Sequence, residues 1–195
     1  EHHAILHTCK MLEGQGFEVT YLPVDEKGFV SPEELERAIT DNTILVSIMM
    51  VNNEIGTIQD IQALAKIARE HKVLFHTDSV QALGNMPIDV KDLGIDMMSM
   101  SAHKIYGPKG VGAMYIRKDV RIANLLEGGA QENSKRAGTE NLPGIVGFGK
   151  AAELAFDGLV THIKHSRELR DYVIDRILTE IPNTTLNGDP KKRHP

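Results

Sequence analysis

Two residues in this chain have the type and placement for covalent chemistry. Lys104 lies in "SMSAHKIYGPKGVGAMYIRK", residues 99–118, and Asp78 lies in "HTDSVQALG". Each follows an apolar run, so each falls at the end of a predicted strand. A lysine amine is mostly protonated at neutral pH and a poor nucleophile, and covalent work requires a depressed pKa or a carbonyl partner. Pyridoxal phosphate supplies such a carbonyl, and its ring is an electron sink when a carboxylate keeps the ring nitrogen protonated. Asp78 offers that carboxylate. Gln81, one helical turn further on, could reach a ring substituent, while Ser101 and His103 flank the lysine with donors suited to a phosphate. A plainer reading competes with this one: Asp78 caps the next helix, and Lys104 is a solvated loop charge.

The glycines of "GPKGVG" suggest a nucleotide loop, but they do not form one. A phosphate-binding glycine loop leads from a strand into a helix N-terminus, whereas these glycines lead into the strand-like "AMYIRK". Their spacing fits neither the dinucleotide fingerprint nor the P-loop. They predict a turn that brings backbone close to the site. His3 and His7 are spaced as metal ligands on one helix face can be, and His162 and His165 form a similar pair. No cysteine or carboxylate cluster completes either set, so both pairs predict solvated helix faces and no metal.

The elements that must position these residues alternate two periods. "HHAILHTCKMLEGQG" puts Ile5, Cys9 and Leu12 on one helical stripe, and "FEVTYLPV" (17–24) alternates as a strand. "SPEELERAIT" opens with Ser31, Pro32 and Glu34, a capping box with proline at the first helical position. "TILVSIMMV" (43–51), "VLFHTD" (73–78), "DMMSMS" (96–101) and "GVGAMYIRK" (110–118) predict strands, and "DIQALAKIAREH" (60–71) an amphipathic helix. From Pro143 to about Ile181 the pattern is helical, with weak points at Gly144, Gly147, Gly149 and Gly158. Strand–helix–strand order predicts an α/β three-layer sandwich with a mainly parallel sheet, whose ligands bind beyond the carboxyl ends of its strands.

Composition excludes several classes. The chain has 195 residues, 41% hydrophobic and 25% charged, in the range of a soluble globular protein. A formal charge of −5 gives no reason to expect nucleic acid or an anionic membrane as partner. No apolar run approaches a bilayer span, and the first ten residues lack the pattern of a signal peptide. One cysteine, Cys9, excludes an internal disulfide framework and predicts a reducing, cytoplasmic setting.

Five segments, "EHHAILHTC", "MMVNNEIGTIQDI", "HTDSVQALG", "SAHKIYGPKGVGAMY" and "GGAQENSKRAGTEN", occur in this order. Together they resemble the cysteine desulfurases, which are fold-type I, class-V aminotransferase-like pyridoxal phosphate enzymes. The resemblance implies removal of sulfur from L-cysteine to give L-alanine and an enzyme-bound persulfide, in a homodimer that serves sulfur-acceptor or scaffold proteins in iron–sulfur cluster or other cofactor assembly. It also implies roles. Lys104 would carry the cofactor and then move protons, Asp78 would pair with the pyridinium nitrogen, and Gln81 would bond the phenolate oxygen. Ser101 and His103 would bind phosphate, and His2 would stack on the ring and assist proton transfer. Asn53 would sit near the phenolate and the substrate carboxylate, and Thr139 would reach the phosphate in the partner subunit. Relatives carry "GGGQERG" or similar where this chain has "GGAQENS", which puts the local loop contacts in question.

The resemblance further implies a chain about twice this length, with residues 1–158 as a partial large cofactor domain. Residues 159–195 would be the interdomain helix and the start of a truncated small domain, which would carry the substrate-carboxylate arginine and the sulfur-accepting cysteine. Cys9, on a helical stripe with Ile5 and Leu12, is predicted to be core. The 195 residues alone are therefore expected to be inactive. Selenocysteine lyase and class-V aminotransferase are the rival enzyme readings, and a cofactor-free dimerising module is the rival from another class.

Overall fold

Three short parallel strands and one antiparallel strand form the sheet on which everything else is arranged. A computed structural model describes residues 1–195. The chain runs α1 (His3–Glu13), α2 (Pro32–Ala38), β1 (Leu45–Ser47), α3 (Ile61–Glu70), β2 (Leu74–Asp78), β3 (Met97–Ser101) and β4 (Gly112–Ile116). It ends in α4 (Gln131–Ser134), α5 (Leu142–Asp157) and α6 (Leu159–Glu180). The sheet order is β1-β2-β3-β4, with β1, β2 and β3 parallel and β4 antiparallel to β3. Only residues 102–111 separate β3 from β4, too short a stretch for the crossover that a parallel strand needs. The predicted mainly parallel α/β sheet with covering helices is therefore the observed one. No helix is long and apolar enough to cross a membrane.

Local signals explain the helices. Ser31 Oγ accepts the Glu33 and Glu34 N–H groups at 3.1 and 3.3 Å, with Pro32 at the start of α2. Asp60 caps α3 by accepting from Ala63 N–H at 3.1 Å. Helix α3 turns Ile61, Leu64, Ala65 and Ala68 inward, where they join Val46, Phe75, Ile95 and Met98 in the main core. A second, smaller cluster sets Phe148 and Ala151 of α5 against Leu83, Ala102 and Ile105.

The register of β2 on β3 is pinned at both ends. At the amino end, the buried Asp96 carboxylate accepts Phe75 N–H at 2.8 Å and pairs with Arg117 at 3.0 Å. At the carboxyl end, Ser79 donates both its N–H (3.1 Å) and its hydroxyl (2.8 Å) to the Ser99 carbonyl. Beyond β1 the ladder continues irregularly, with Ile48 N–H on His76 O and Met50 N–H on Asp78 O.

Three expectations change. The alternating run 17–24 is not a sheet strand: Phe17, Tyr21 and Val24 are exposed, and Val24 only bridges Val30. Pro23 lacks a ladder donor, and Asp25 folds the chain back at once by accepting from Lys27 and Phe29 N–H. Cys9 is not core, because α1 has no buried residue; its apolar stripe is real but only half covered. His162 is not a solvated helix residue, since its Nε2 bonds Asn85 Oδ1 at 2.9 Å and ties α6 to the turn after β2. Between α5 and α6 the helical run does break at Gly158, as its pattern predicted.

Phe75, 1% exposed on the central strand, is the test of this core. Phe75→Ala is expected to cost about 3–5 kcal/mol, a large part of a domain's net stability. The check is a fall in the urea midpoint of the chain without a change in slope.

Candidate active site at the carboxyl edge of the sheet

β2 and β3 are parallel neighbours with Asp78 opposite Ser99, so Asp78 and Ser101 close their strands on the same edge. The chain leaves β3 into a 3₁₀ turn, Ala102–Ile105. Ala102 and Ile105 are buried under α5, while His103 and Lys104 are exposed. The apolar half of the turn thus anchors it and leaves the amine of Lys104 free to meet a ligand. Tyr106 ends the turn in a left-handed conformation, φ 64°, although its side chain is 93% exposed. Such a conformation costs a non-glycine residue of order 1–3 kcal/mol and recurs at functional sites. The glycines that follow work as the sequence suggested: a Cβ on Gly112 would lie 2.7 Å from Met100 O, and one on Gly107 2.9 Å from Ala102 O. They let the returning backbone press against β3.

Asp78 is 6% exposed. Its Oδ1 accepts the Val80 N–H at 2.9 Å, so it also caps the turn that follows, and the plain capping role holds alongside any chemical one. Two positions earlier on the same strand face is His76, 8% exposed. Each of its ring nitrogens shares a hydrogen bond with a serine hydroxyl, Ser47 and Ser99, both at 2.8 Å. Burial pushes the His76 pKa down, and the Asp78 charge only partly opposes this. A neutral imidazole therefore underlies the carboxylate and leaves its charge available to a cation at the sheet edge.

The other predicted residues divide into two groups. Ser101 and His103 are together, with Oγ and Nδ1 at 2.6 Å, on the same strand end as Lys104. His2 caps α1, its Nδ1 accepting Ala4 N–H at 3.1 Å. Its neighbour Glu1 accepts Met49 N–H at 2.6 Å, which brings the start of α1 to the carboxyl side of β1. Burial raises the Glu1 pKa, and the nearby Asp78 charge adds to the rise. Asn53 and Gln81 share a polar cleft of about 200 Å³ with Asn52, Arg170, Arg193 and His194. Thr139 stands apart, exposed in the irregular stretch between α4 and α5. Within α4 the residues Glu132, Asn133 and Ser134 are left-handed, with φ of 50°, 55° and 63°. They lie in the "GGAQENS" segment whose loop contacts the resemblance put in question, and the backbone there is strained.

The residues present suit pyridoxal phosphate. An exposed primary amine, a buried carboxylate and a hydroxyl–imidazole pair lie on adjoining strand ends, one donor type for each part of the cofactor. Sequence reasoning missed Ser47, His76 and Ser99. The period of two along "HTD" was a usable signal for His76, since it places residues 76 and 78 on one face. It also missed Arg170, Arg193 and His194, for which no local pattern exists.

The sequence matches the aminotransferase class-V family over residues 1–195. It is 61% identical over 193 residues to the cysteine desulfurase IscS of Methanosarcina thermophila, covering 99% of this chain and 48% of that one. Among solved structures it resembles a NifS-like protein (TM-score 0.89, 45% identity, 92% of this chain and 50% of the other). It also resembles SspA in complex with cysteine (TM-score 0.76, 47% identity, 78% of this chain and 45% of the other). The chain spans about half the length of the curated relatives it matches.

His76 generates a pH test. Unfolded histidine titrates near 6.5, and burial lowers the folded value. Below about pH 6.5 the unfolded chain binds a proton that the folded chain refuses, so stability falls as pH drops toward the folded pKa, by at most about 1.4 kcal/mol per unit. The urea midpoint should fall between pH 7.5 and 5.5 (roughly the window either side of that value) and fall less in His76→Gln. An equal fall in both would contradict the assignment.

Proposed function

This chain belongs to the class-V aminotransferase family, and we propose that its parent is a pyridoxal-phosphate-dependent cysteine desulfurase. The observation that carries the proposal is the placement of buried Asp78 at the end of β2 and of exposed Lys104 in the turn that leaves the neighbouring parallel strand β3. Bound pyridoxal phosphate supplies a carbonyl for an amine and an electron-accepting ring. Lys104 holds the cofactor and moves a proton at the substrate's α-carbon. Asp78 keeps the ring nitrogen protonated, with His76 held neutral beneath it. Ser101 and His103 take the phosphate, joined by Thr139 of the partner subunit. Gln81 would bond the ring oxygen, Asn53 would serve the ring oxygen and the substrate carboxylate, and His2 would stack on the ring and assist proton transfer.

The substrate is L-cysteine. High identity to relatives named cysteine desulfurase and likeness to a structure holding cysteine both support this choice. The balanced reaction moves one sulfur atom: L-cysteine and a protein thiol give L-alanine and a persulfide. Cys9 is not that thiol in this proposal. Its pKa is raised, chiefly by burial and then by Glu1 and Glu13, so it is a poor source of thiolate at neutral pH.

Residues 1–158 are proposed as part of the cofactor domain, and residues 159–195 as the connecting helix and the first part of a small domain. Exposed Val146 and Leu154 on α5 and Leu125 before it support a homodimer, because apolar surface of this kind marks interfaces. Delivery of sulfur to acceptor or scaffold proteins for iron–sulfur cluster assembly, in the cytoplasm, completes the proposal.

In the full-length parent loaded with pyridoxal phosphate, Lys104→Ala is expected to lower alanine formation from L-cysteine by about a thousandfold or more. Turnover at the wild-type rate would sink the proposal.

A further inference from the structure

The hairpin that carries Asn53 is held from the far end of the chain. Asn52 N–H bonds Thr57 O, Gly56 N–H bonds Asn52 O, and Asn52 Oδ1 accepts from Glu54 and Ile55 N–H, both at 2.9 Å. These bonds close the loop and leave Asn53 exposed at its tip. Further restraint comes from residues 188–194, beside the bond from Thr57 Oγ1 to the Lys27 carbonyl. Ile58 N–H bonds Lys192 O at 3.1 Å, and His194 N–H bonds Gly56 O at 2.8 Å. Arg193 Nη2 donates to Ile55 O at 2.9 Å. Gly188, at φ 81°, passes so close that a Cβ there would lie 2.7 Å from Ile55 O.

This C-terminal segment is itself fixed on two sides. Arg170 of α6 donates from Nη1 to His194 O at 2.5 Å and to Arg193 O at 3.3 Å, and its side chain is only 17% exposed. Asp189 accepts Lys191 and Lys192 N–H at 2.7 Å each and pairs with Lys27 at 3.1 Å. Those backbone bonds, with Lys27 adding to them, hold its carboxyl down at about 2, so the turn before Arg193 keeps its charge at any ordinary pH. From the same segment, His194 Nε2 donates to the Gln81 carbonyl at 2.9 Å. One strap therefore touches both the Asn53 hairpin and the Gln81 backbone, and with Arg170 it lines the polar cleft beside them.

From this geometry we infer that Arg193 and Arg170 are positioning residues, which set Asn53 and Gln81 against the oxygen-bearing side of the cofactor ring. The inference rests on the reading of Lys104 and Asp78 as the cofactor pair. Arg193 acts through the Ile55 carbonyl and its own backbone, and Arg170 acts through the Arg193 and His194 carbonyls. Neither needs to touch the cofactor. A guanidinium suits this task because it can bond two carbonyls at once while remaining charged. The middle of α6 is thereby coupled mechanically to the cleft, so a shift of that helix carries the hairpin with it.

The test uses the full-length parent and pyridoxal phosphate, with two readouts. In Arg193→Ala, amide hydrogen exchange at Asn52 and Gly56 is expected to rise about tenfold while exchange in β2 stays unchanged, as for loss of local hydrogen bonds. The pH midpoint of the visible band of the bound cofactor should also shift, because the ring-oxygen neighbours are no longer fixed. If Arg193→Ala does not fold, Arg170→Met decides in its place, with a smaller rise confined to the same amides. Unchanged exchange in the variant that folds, or a uniform rise that includes β2, would overturn the inference. So would a looser hairpin with an unaltered cofactor band. A wild-type parent that shows no cofactor band would instead overturn the underlying reading of Lys104, whatever the exchange data show.

Discussion

The parallel register of β2 on β3 is the constraint on which the rest of the molecule depends. Side chains alternate along a strand, so a slip by one residue would turn Asp78 to the opposite face and bury the wrong set. Asp96, through Phe75 N–H and Arg117, pins one end of the pairing, and Ser79 on the Ser99 carbonyl pins the other. With the register fixed, Asp78 closes one strand as the Lys104 turn opens from the next. The sheet sets the carboxylate and the start of the turn, and the packing of Ala102 and Ile105 under α5 sets the rest.

The cost of that arrangement is polar burial. His76, Thr77, Asp78 and Ser79 form a run of buried polar residues in the middle of the core. Each is matched: His76 by two serines, Thr77 by the Ile48 carbonyl, Asp78 by Val80 N–H, and Ser79 by Ser99. A satisfied polar layer adds little to stability but specifies one arrangement, since breaking any member leaves a buried group without a partner. The apolar support comes from below, where Phe75, Leu64 and Val46 pack. Strained Tyr106 and the left-handed residues of α4 lie beyond that support and outside both apolar clusters.

Much of this was legible in the chain. The Ser31 cap of α2, the amphipathic stripe of α3 and the apolar runs of β2 and β3 are local patterns with local causes, and the structure follows them, although Glu34 pairs with Arg37 rather than closing the predicted capping box. The carboxyl-edge placement of Asp78, Ser101 and Lys104 followed from their positions at strand ends. What was not legible depended on distant partners. The alternation of residues 17–24 looked like a strand, but the Asp25 turn and Pro23 decided otherwise. Cys9 sits on a true apolar stripe that the rest of this chain covers only in part. The hairpin holding Asn53 is stitched to residues 188–194 by contacts such as Arg193 to Ile55, for which sequence periodicity offers no signal.

The central claim is that the amine of Lys104, and no other, carries the cofactor opposite Asp78. The direct measurement is to incubate the full-length parent with pyridoxal phosphate, reduce it with borohydride, and locate the label by peptide mass spectrometry. The account predicts one reduced pyridoxyl group on Lys104. Label on Lys109, the neighbouring lysine of "GPKG", or a label spread over surface lysines with Lys104 unmodified, would contradict it.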